Sequence, residues 1–178
     1  CLAPIAKLIN DNYIIESGVM TTVHSATATQ NVVDSTSSNN RRISRGIINN
    51  IIPSTTGAAK AVGKVVPELD DILTGMAYRV PTSNVSVVDF SVNLKKSTSI
   101  NEISRVILNA SQAKYKGIIG YCDEELVSTD FNGDTRTSIF DKNASIQITP
   151  RFFKLVCWYD NETGYSHKLI EMARHMFK

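Results

Sequence analysis

The 178-residue chain is long enough for one large domain whose hydrophobic core needs no disulfide or metal cross-links. Its 42% hydrophobic and 20% charged residues exclude a disordered, collagen-like or coiled-coil protein. A formal net charge of +2 is too small to indicate a nucleic-acid-binding surface, and no stretch approaches the roughly 18 apolar residues of a membrane helix.

The three cysteines, Cys1, Cys122 and Cys157, include no C-x-x-C pair. An odd number at these spacings indicates neither a disulfide framework nor a zinc site. We therefore expect no metal and a reducing, cytoplasmic compartment. The first residue is not methionine, so we expect the chain to be part of a longer protein.

The first half of the chain predicts a helix, a strand, a long loop and a second helix, over residues 2–9, 19–24, 26–49 and 58–66. The strand ends at His24. The loop is polar and carries three arginines, and loops of this length are usually functional or disordered. Pro67 ends the second helix.

The second half predicts a strand, a helix, a strand and a final helix, over residues 85–94, 100–110, 152–159 and 165–177. The first of these strands alternates apolar residues with polar ones, so we expect one of its faces to be exposed to solvent. Ser99 and Glu102 have the spacing of a capping box, and Asn132-Gly133 predicts a hairpin turn. The whole pattern predicts an α+β fold, a mostly antiparallel mixed sheet covered by helices.

Three features of the sequence suggest a phosphorylated substrate. Thr56 and Gly57 begin a helix, where free N–H groups and the helix dipole attract anions, although a plain helix cap is the alternative. His24 ends a strand beside hydroxyl residues and is a candidate general base, or a structural histidine. Arg79 lies in an apolar stretch and needs an anionic partner, which is either Asp89 or a substrate phosphate.

Four longer runs carry a resemblance to a known family. They are MTTVHSATATQ at 20–30, STTGAAKAVGK at 54–64, LTGMAYRVPT at 73–82 and WYDNETGYS at 158–166. In this order they closely resemble the catalytic, C-terminal half of phosphorylating glyceraldehyde-3-phosphate dehydrogenases, and the resemblance extends from Cys1 to the final helix. It implies a glycolytic, NAD-dependent oxidation of glyceraldehyde-3-phosphate to 1,3-bisphosphoglycerate through a cysteine thioester.

The resemblance also implies roles for individual residues. His24 matches the base that draws the nucleophilic cysteine toward its thiolate form. Thr27 and Arg79 match the residues that hold the phosphate of the substrate, and Thr56 and Gly57 match part of the pocket for inorganic phosphate. Asn161 matches the residue that orients the nicotinamide carboxamide of NAD.

Other parts of the family's enzyme are expected outside residues 1–178. Cys1 matches the second, structural cysteine of the family's Ser-Cys-Thr-Thr-Asn-Cys stretch, so the nucleophile is expected four residues before it. The N-terminal Rossmann domain, which holds most of NAD, has no G-x-G-x-x-G counterpart here. We therefore expect the chain alone to be inactive.

The resemblance further implies an assembly. Residues 26–49 match a loop that lies between subunits of a homotetramer, and residues 165–177 match a helix that packs on the cofactor domain. Within the loop, Arg45 occupies a position where many members keep an arginine, whereas Ile43 replaces an arginine of some bacterial members. The alternatives are a dehydrogenase for another phosphorylated aldose such as erythrose-4-phosphate, one that uses NADP, or a non-catalytic interaction fragment.

Overall fold

The computed structural model describes residues 1–36 and 40–177. These residues form four helices, α1 (Leu2–Tyr13), α2 (Ala58–Val65), α3 (Ile100–Gln112) and α4 (Thr163–Met176). Their strands are β1 (Ile15–His24), β2 (Ile52–Thr55), β3 (Leu73–Arg79), β4 (Ser86–Leu94), β5 (Ile119–Cys122), β6 (Ser138–Thr149) and β7 (Phe152–Tyr159). No helix within these described residues combines the length and apolarity needed to cross a bilayer.

The strands form one seven-stranded sheet in the order β2-β3-β1-β4-β7-β6-β5. The pairs β1 with β3 and β5 with β6 are parallel, and the other four pairs are antiparallel. This mixed, mostly antiparallel sheet with its helices confirms the predicted α+β class. It also places the carboxyl ends of β1 and β3 side by side.

The main hydrophobic core lies between one face of the sheet and the helices α1, α2 and α3. Alternation in β4 fixes which face is covered, because Val88, Phe90 and Val92 are buried in this core as predicted. A smaller cluster on the opposite face contains Phe131 and Ile139. Elsewhere on that face β1 is open, and Val19 is 49% exposed.

Helix boundaries differ from the predicted ones at two places, for local reasons. Helix α1 continues past its predicted end at residue 9: the Asn12 side chain donates to the carbonyl of Leu8, and the helix ends at Tyr13, followed by Ile14 with a φ of 62°. The final helix starts two residues earlier than predicted, because Asp160 accepts the backbone N–H groups of Glu162 and Thr163. The capping box of Ser99 and Glu102 is confirmed.

The predicted hairpin at Asn132-Gly133 is wrong. The strands on either side of it, β5 and β6, run parallel and cannot be joined by a two-residue turn. Gly133 instead has a φ of 81°, and its N–H donates to the carboxylate of Asp160 at 2.8 Å. Gly133 thus does adopt a turn conformation, but in a loop that packs against the start of α4.

The long segment 26–49 is a loop of turns in its described parts, 26–36 and 40–49, as predicted; Ser37, Ser38 and Asn39 lie outside the described residues. The carboxylate of Asp34 joins the two described parts of the loop. Asp34 accepts the backbone N–H of Gly46 at 2.8 Å and pairs with Arg45 at 2.9 Å. Arg41 and Arg42 are exposed.

Candidate active site

Two adjacent strands position the candidate base and the candidate phosphate ligand. His24 is the last residue of β1 and Arg79 the last residue of β3, and the parallel register pairs them directly. The carboxyl ends of neighbouring parallel strands are where α/β sheets bind their ligands. Residues 55 positions apart in sequence are thus brought into contact at one sheet edge.

The position of the histidine proton is linked to this contact. Nη1 of Arg79 lies 2.7 Å from Nδ1 of His24 and 3.1 Å from the carbonyl oxygen of Ser25, and Nδ1 itself lies 2.9 Å from that carbonyl oxygen. A guanidinium only donates and a carbonyl only accepts, so Nδ1 accepts from Arg79 when the ring proton is on Nε2 and donates to Ser25 when it carries the proton itself. Burial, and then the positive charge of Arg79, hold the pKa of His24 below its ordinary value.

Arg79 does not pair with Asp89, which was one of its two predicted partners. Asp89 lies on β4 and forms an ion pair with Lys154 of β7 at 2.7 Å. Among the described residues, Nε of Arg79 is buried and has no hydrogen-bond partner. Because an unsatisfied buried donor is costly, this nitrogen is a candidate contact for an anion.

His24 and Arg79 line a cavity of about 240 Å³ beneath the sheet edge. Thr22, Thr56 and Tyr159 line the same cavity, together with Cys1. Tyr159 was not predicted: its ring meets that of His24 edge to face at 5.9 Å, and its hydroxyl lies 3.0 Å from that of Thr22. The cavity thus combines one cation, one imidazole and several hydroxyl groups.

Thr56 and Gly57 lie at the start of α2, on the wall of this cavity and of a neighbouring one. The Thr56 hydroxyl accepts the N–H of Ala58, the first residue of α2, at 3.2 Å and keeps its own hydrogen free to donate. Gly57 is exposed with an ordinary φ of −85°, and an added Cβ would meet nothing within 4 Å. The fold itself therefore does not require glycine at this position.

Asn161 lines a second cavity, of about 350 Å³, with Tyr165 and Lys168 of α4. His24, Tyr159 and Cys1 line both cavities, so the histidine stands between the arginine on one side and the amide on the other. The Asn161 side chain accepts hydrogen bonds from two buried serines, Ser25 and Ser86. Both serines were missed as site residues, although Ser86 is a polar residue on the buried face of β4.

Thr27 is the predicted site residue that does not line these cavities. Its hydroxyl donates to the side-chain oxygen of Gln30 at 2.9 Å, and its backbone N–H donates to the same atom at 2.8 Å. It is outside the linings of the cavities described above. For this hydroxyl to donate to a phosphate, its hydrogen bond to Gln30 would have to break.

The two cysteines nearest to the site differ in character. Cys1 precedes α1, lines both cavities, and its sulfur lies 3.2 Å from the hydroxyl of Ser138. Cys157 is enclosed in β7, and burial raises the pKa of its thiol to about 12. A thiol with that pKa is unreactive at neutral pH, because the thiolate is the nucleophilic form.

The fold and site define an α+β domain in which one histidine separates an arginine-lined cavity from an amide-lined cavity. A sequence profile described as the C-terminal domain of glyceraldehyde 3-phosphate dehydrogenase matches residues 1–161. The chain belongs to this family.

Individual relatives agree with that assignment. The chain is 56% identical over all 178 residues to glyceraldehyde-3-phosphate dehydrogenase from Shimwellia blattae and to glyceraldehyde-3-phosphate dehydrogenase 3 from Saccharomyces cerevisiae. It is 55% identical over the same length to glyceraldehyde-3-phosphate dehydrogenase A from Escherichia coli K12. In each case it covers 54% of the relative, so it spans about half the length of the curated proteins that it matches.

Proposed function

We propose that residues 1–178 are the catalytic domain of an NAD-dependent, phosphorylating glyceraldehyde-3-phosphate dehydrogenase. The observation that carries this proposal is the position of His24 between two cavities, with Arg79 in one and Asn161 in the other. A phosphorylated aldehyde bound by the arginine and a nicotinamide bound by the amide would then share one base. The family membership supports the same reaction.

Arg79 is the proposed ligand of the substrate phosphate. Its unpaired Nε and its Nη2 group share one edge of the guanidinium, so they can together form the two parallel hydrogen bonds by which arginine binds phosphate oxygens. Thr27 is the second proposed ligand, once its hydroxyl leaves Gln30. Ile43, in place of an arginine of some bacterial members, removes one positive charge from the expected lining of the inorganic-phosphate pocket.

His24 is the proposed general base. It takes the proton of the nucleophilic cysteine thiol, and the thiolate then adds to the aldehyde carbon to form a hemithioacetal. His24 returns this proton to the alkoxide oxygen, which gives the hemithioacetal hydroxyl, and takes it back as the hemithioacetal is oxidised to the thioester. NAD, when bound, supplies the two-electron acceptor for that oxidation.

The residues present fit the nicotinamide end of NAD. Asn161 lines the second cavity with the aromatic ring of Tyr165, and its amide oxygen is already occupied by serine hydroxyls. One amide N–H donates to Glu162 at 3.2 Å, so the other N–H is the part available to orient a carboxamide. The rest of the cofactor site belongs, in this proposal, to an N-terminal Rossmann domain outside residues 1–178.

Thr56 and Gly57 are proposed to hold the inorganic phosphate that attacks the thioester. The free hydroxyl hydrogen of Thr56 and the N-terminal end of α2 favour an anion there. Attack by a phosphate oxygen on the thioester carbon releases the cysteine thiolate and forms the acyl phosphate, 1,3-bisphosphoglycerate. No water is consumed in this step.

The proposal extends to the domain arrangement. The nucleophile is expected four residues before Cys1, which lines both cavities, so the chain alone should be inactive. Residues 165–177 are proposed to pack on the cofactor domain, and residues 26–49 to lie between subunits of a cytoplasmic homotetramer. The exposed apolar side chains of α4, among them Leu169 and Met172, support the first of these contacts.

The substrate assignment is tested by comparing kcat/KM for glyceraldehyde-3-phosphate, erythrose-4-phosphate and unphosphorylated glyceraldehyde in the longer protein. Glyceraldehyde-3-phosphate should be the best substrate, and Arg79→Ala should reduce its advantage over glyceraldehyde. Arg105→Ala, at an exposed arginine of α3 outside the linings of these cavities, is the matched control. An advantage that Arg79→Ala leaves unchanged would remove the phosphate role of Arg79.

A further inference from the structure

We propose that Ser86, with Ser25, is a positioning residue that fixes the orientation of the Asn161 amide. The first part of the inference, the orientation itself, rests on the hydrogen-bond geometry alone. The second part, which ligand group the amide then recognises, rests on the proposed function.

Three side chains from separate parts of the chain meet at one atom. The hydroxyl of Ser25, which follows β1, lies 2.8 Å from Oδ1 of Asn161, and the hydroxyl of Ser86, the first residue of β4, lies 2.9 Å from it. Both serines are buried. Neither hydroxyl serves in the proposed steps of proton transfer or phosphate binding.

The hydrogen-bond count assigns the donors. Ser86 Oγ already accepts the backbone N–H of Ser25 at 3.1 Å, and its hydroxyl hydrogen is free to donate. Asn161 Oδ1 is a close acceptor for it at 2.9 Å, whereas the oxygen of Ser25 lies 3.4 Å away. Ser25 donates to the same Oδ1, which thus receives two hydrogen bonds.

The opposite orientation of the amide is disfavoured. With Nδ2 in the place of Oδ1, the amide would donate to both hydroxyls and accept from neither. The hydroxyl hydrogen of Ser25 would then have only the 3.4 Å contact to Ser86. Leaving a buried hydroxyl without a good acceptor is destabilising, so the two serines select one orientation.

The selected orientation leaves Asn161 as a hydrogen-bond donor. One N–H of Nδ2 points to the Glu162 carboxylate at 3.2 Å, and the other remains for a ligand in the second cavity, which Asn161 lines. A free N–H donor at this position favours a ligand group that accepts a hydrogen bond. On the proposed function, that acceptor is the carbonyl oxygen of the nicotinamide carboxamide rather than its amino group.

Ser86 has a further connection that Ser25 lacks. By accepting the N–H of Ser25, it also holds the backbone directly after His24. It therefore links the base at the end of β1 to the amide at the start of α4. We expect Ser86→Ala to have a larger effect than Ser25→Ala for this reason.

The orientation is tested by the ¹³Cγ chemical shift of Asn161 in the protein, measured by NMR without cofactor. Loss of a hydrogen bond to Oδ1 should move this resonance upfield in Ser86→Ala and, less, in Ser25→Ala. Ser91→Ala, on the same strand but outside this network, should leave it unchanged. A merely structural role would lower the melting temperature of Ser86→Ala without moving the resonance in either serine variant, and that result would overturn the proposal.

The recognised ligand group is tested by the dissociation constants of the longer protein for NAD and its thionicotinamide analogue, whose sulfur is a weaker acceptor. Ser86→Ala should weaken NAD binding about tenfold, the value of one hydrogen bond, and narrow the preference over the analogue. An unchanged preference would overturn the carbonyl assignment. Failure of the unmodified protein to bind NAD would overturn the proposed function and that assignment together, while the ¹³Cγ shift decides the role of Ser86 independently.

Discussion

Nη1 of Arg79 lies 2.7 Å from Nδ1 of His24, on strand positions that pair directly in the sheet. Nδ1 can accept from Arg79 only while the histidine proton lies on Nε2. A phosphate that draws Arg79 away would free Nδ1 to carry a proton and donate it to the carbonyl of Ser25, 2.9 Å away. Nε2 could then accept the proton of a thiol, so substrate binding would itself prepare the base.

The first prediction concerns the pKa of His24. Burial lowers it, and so does the charge of Arg79, so Arg79→Gln should raise the pKa by removing the cation. The Ser25 carbonyl and Glu162, which both raise the pKa, and the neighbouring ring of Tyr159 remain in the variant. The measurement is an NMR titration of the His24 ring, with Arg105→Gln, at an exposed arginine of α3, as control; a pKa that stays or falls in Arg79→Gln would contradict the account.

The second prediction separates the ligand role of Gly57 from its role in the fold. Gly57→Ala should change the free energy of unfolding by less than about 0.5 kcal/mol, because its φ is ordinary and the new Cβ meets open space. The methyl group should nevertheless raise the KM for inorganic phosphate in the longer protein. Gly133→Ala is the contrast: with a φ of 81° it should cost about 1 kcal/mol and leave that KM unchanged. An unchanged phosphate KM in Gly57→Ala would remove Gly57 from the phosphate pocket.

The third prediction concerns Asp160, which is 1% exposed. Burial alone would raise its pKa, but the N–H groups of Thr163, Gly133 and Glu162 outweigh burial and hold the pKa below its ordinary value. A lowered pKa stabilises the fold above the unfolded-state value of about 4, and this contribution is lost as pH falls through the folded-state pKa. Asp160→Asn should therefore cost about 3 kcal/mol at pH 7 and less at pH 3.

Urea unfolding of the two proteins at both pH values measures this difference. Asp130→Asn is a matched control, because that exposed carboxylate accepts one backbone N–H, from Val127. A penalty for Asp160→Asn that is equal at pH 7 and pH 3 would show that the negative charge of Asp160 does not stabilise the fold.

The fourth prediction concerns association through α4. Leu169 and Met172 are more than half exposed on this helix, and Met176 is 75% exposed. Such a stripe favours contact with another surface, so the chain alone should associate, through this helix and the loop of residues 26–49. Sedimentation velocity should show assemblies that Leu169→Glu with Met172→Glu reduces, whereas Val127→Glu, away from α4, should not. A monodisperse monomer of the unmodified chain would contradict this prediction.

The sequence predicted best those elements whose pattern is local. Strand β7 was predicted at its observed bounds, and β4 to within one residue, because strands in the middle of this sheet carry long apolar runs or strict alternation. Strand β3 was missed because polar residues and Gly75 interrupt its pattern. Its neighbour β2 has only four residues.

In the candidate site, too, long-range contacts could not be predicted from local sequence patterns. The resemblance named His24, Arg79 and Asn161, and the structure places all three around adjoining cavities. Their contacts depend on the register between β1 and β3 and on hydrogen bonds across the sheet, which no local pattern encodes. Ser86 did leave a signal, a hydroxyl on an otherwise apolar strand face, but its partner 75 residues away could not be read from the sequence.

The central claim, that these residues are the catalytic domain of a phosphorylating dehydrogenase, is tested most directly by NADH formation in the longer protein. Absorbance at the NADH band should rise with glyceraldehyde-3-phosphate and NAD only when inorganic phosphate is present, and His24→Asn should slow the rise at least a hundredfold, the usual contribution of a general base. NADH formation that needs neither phosphate nor His24, or no NADH at all, would contradict the account.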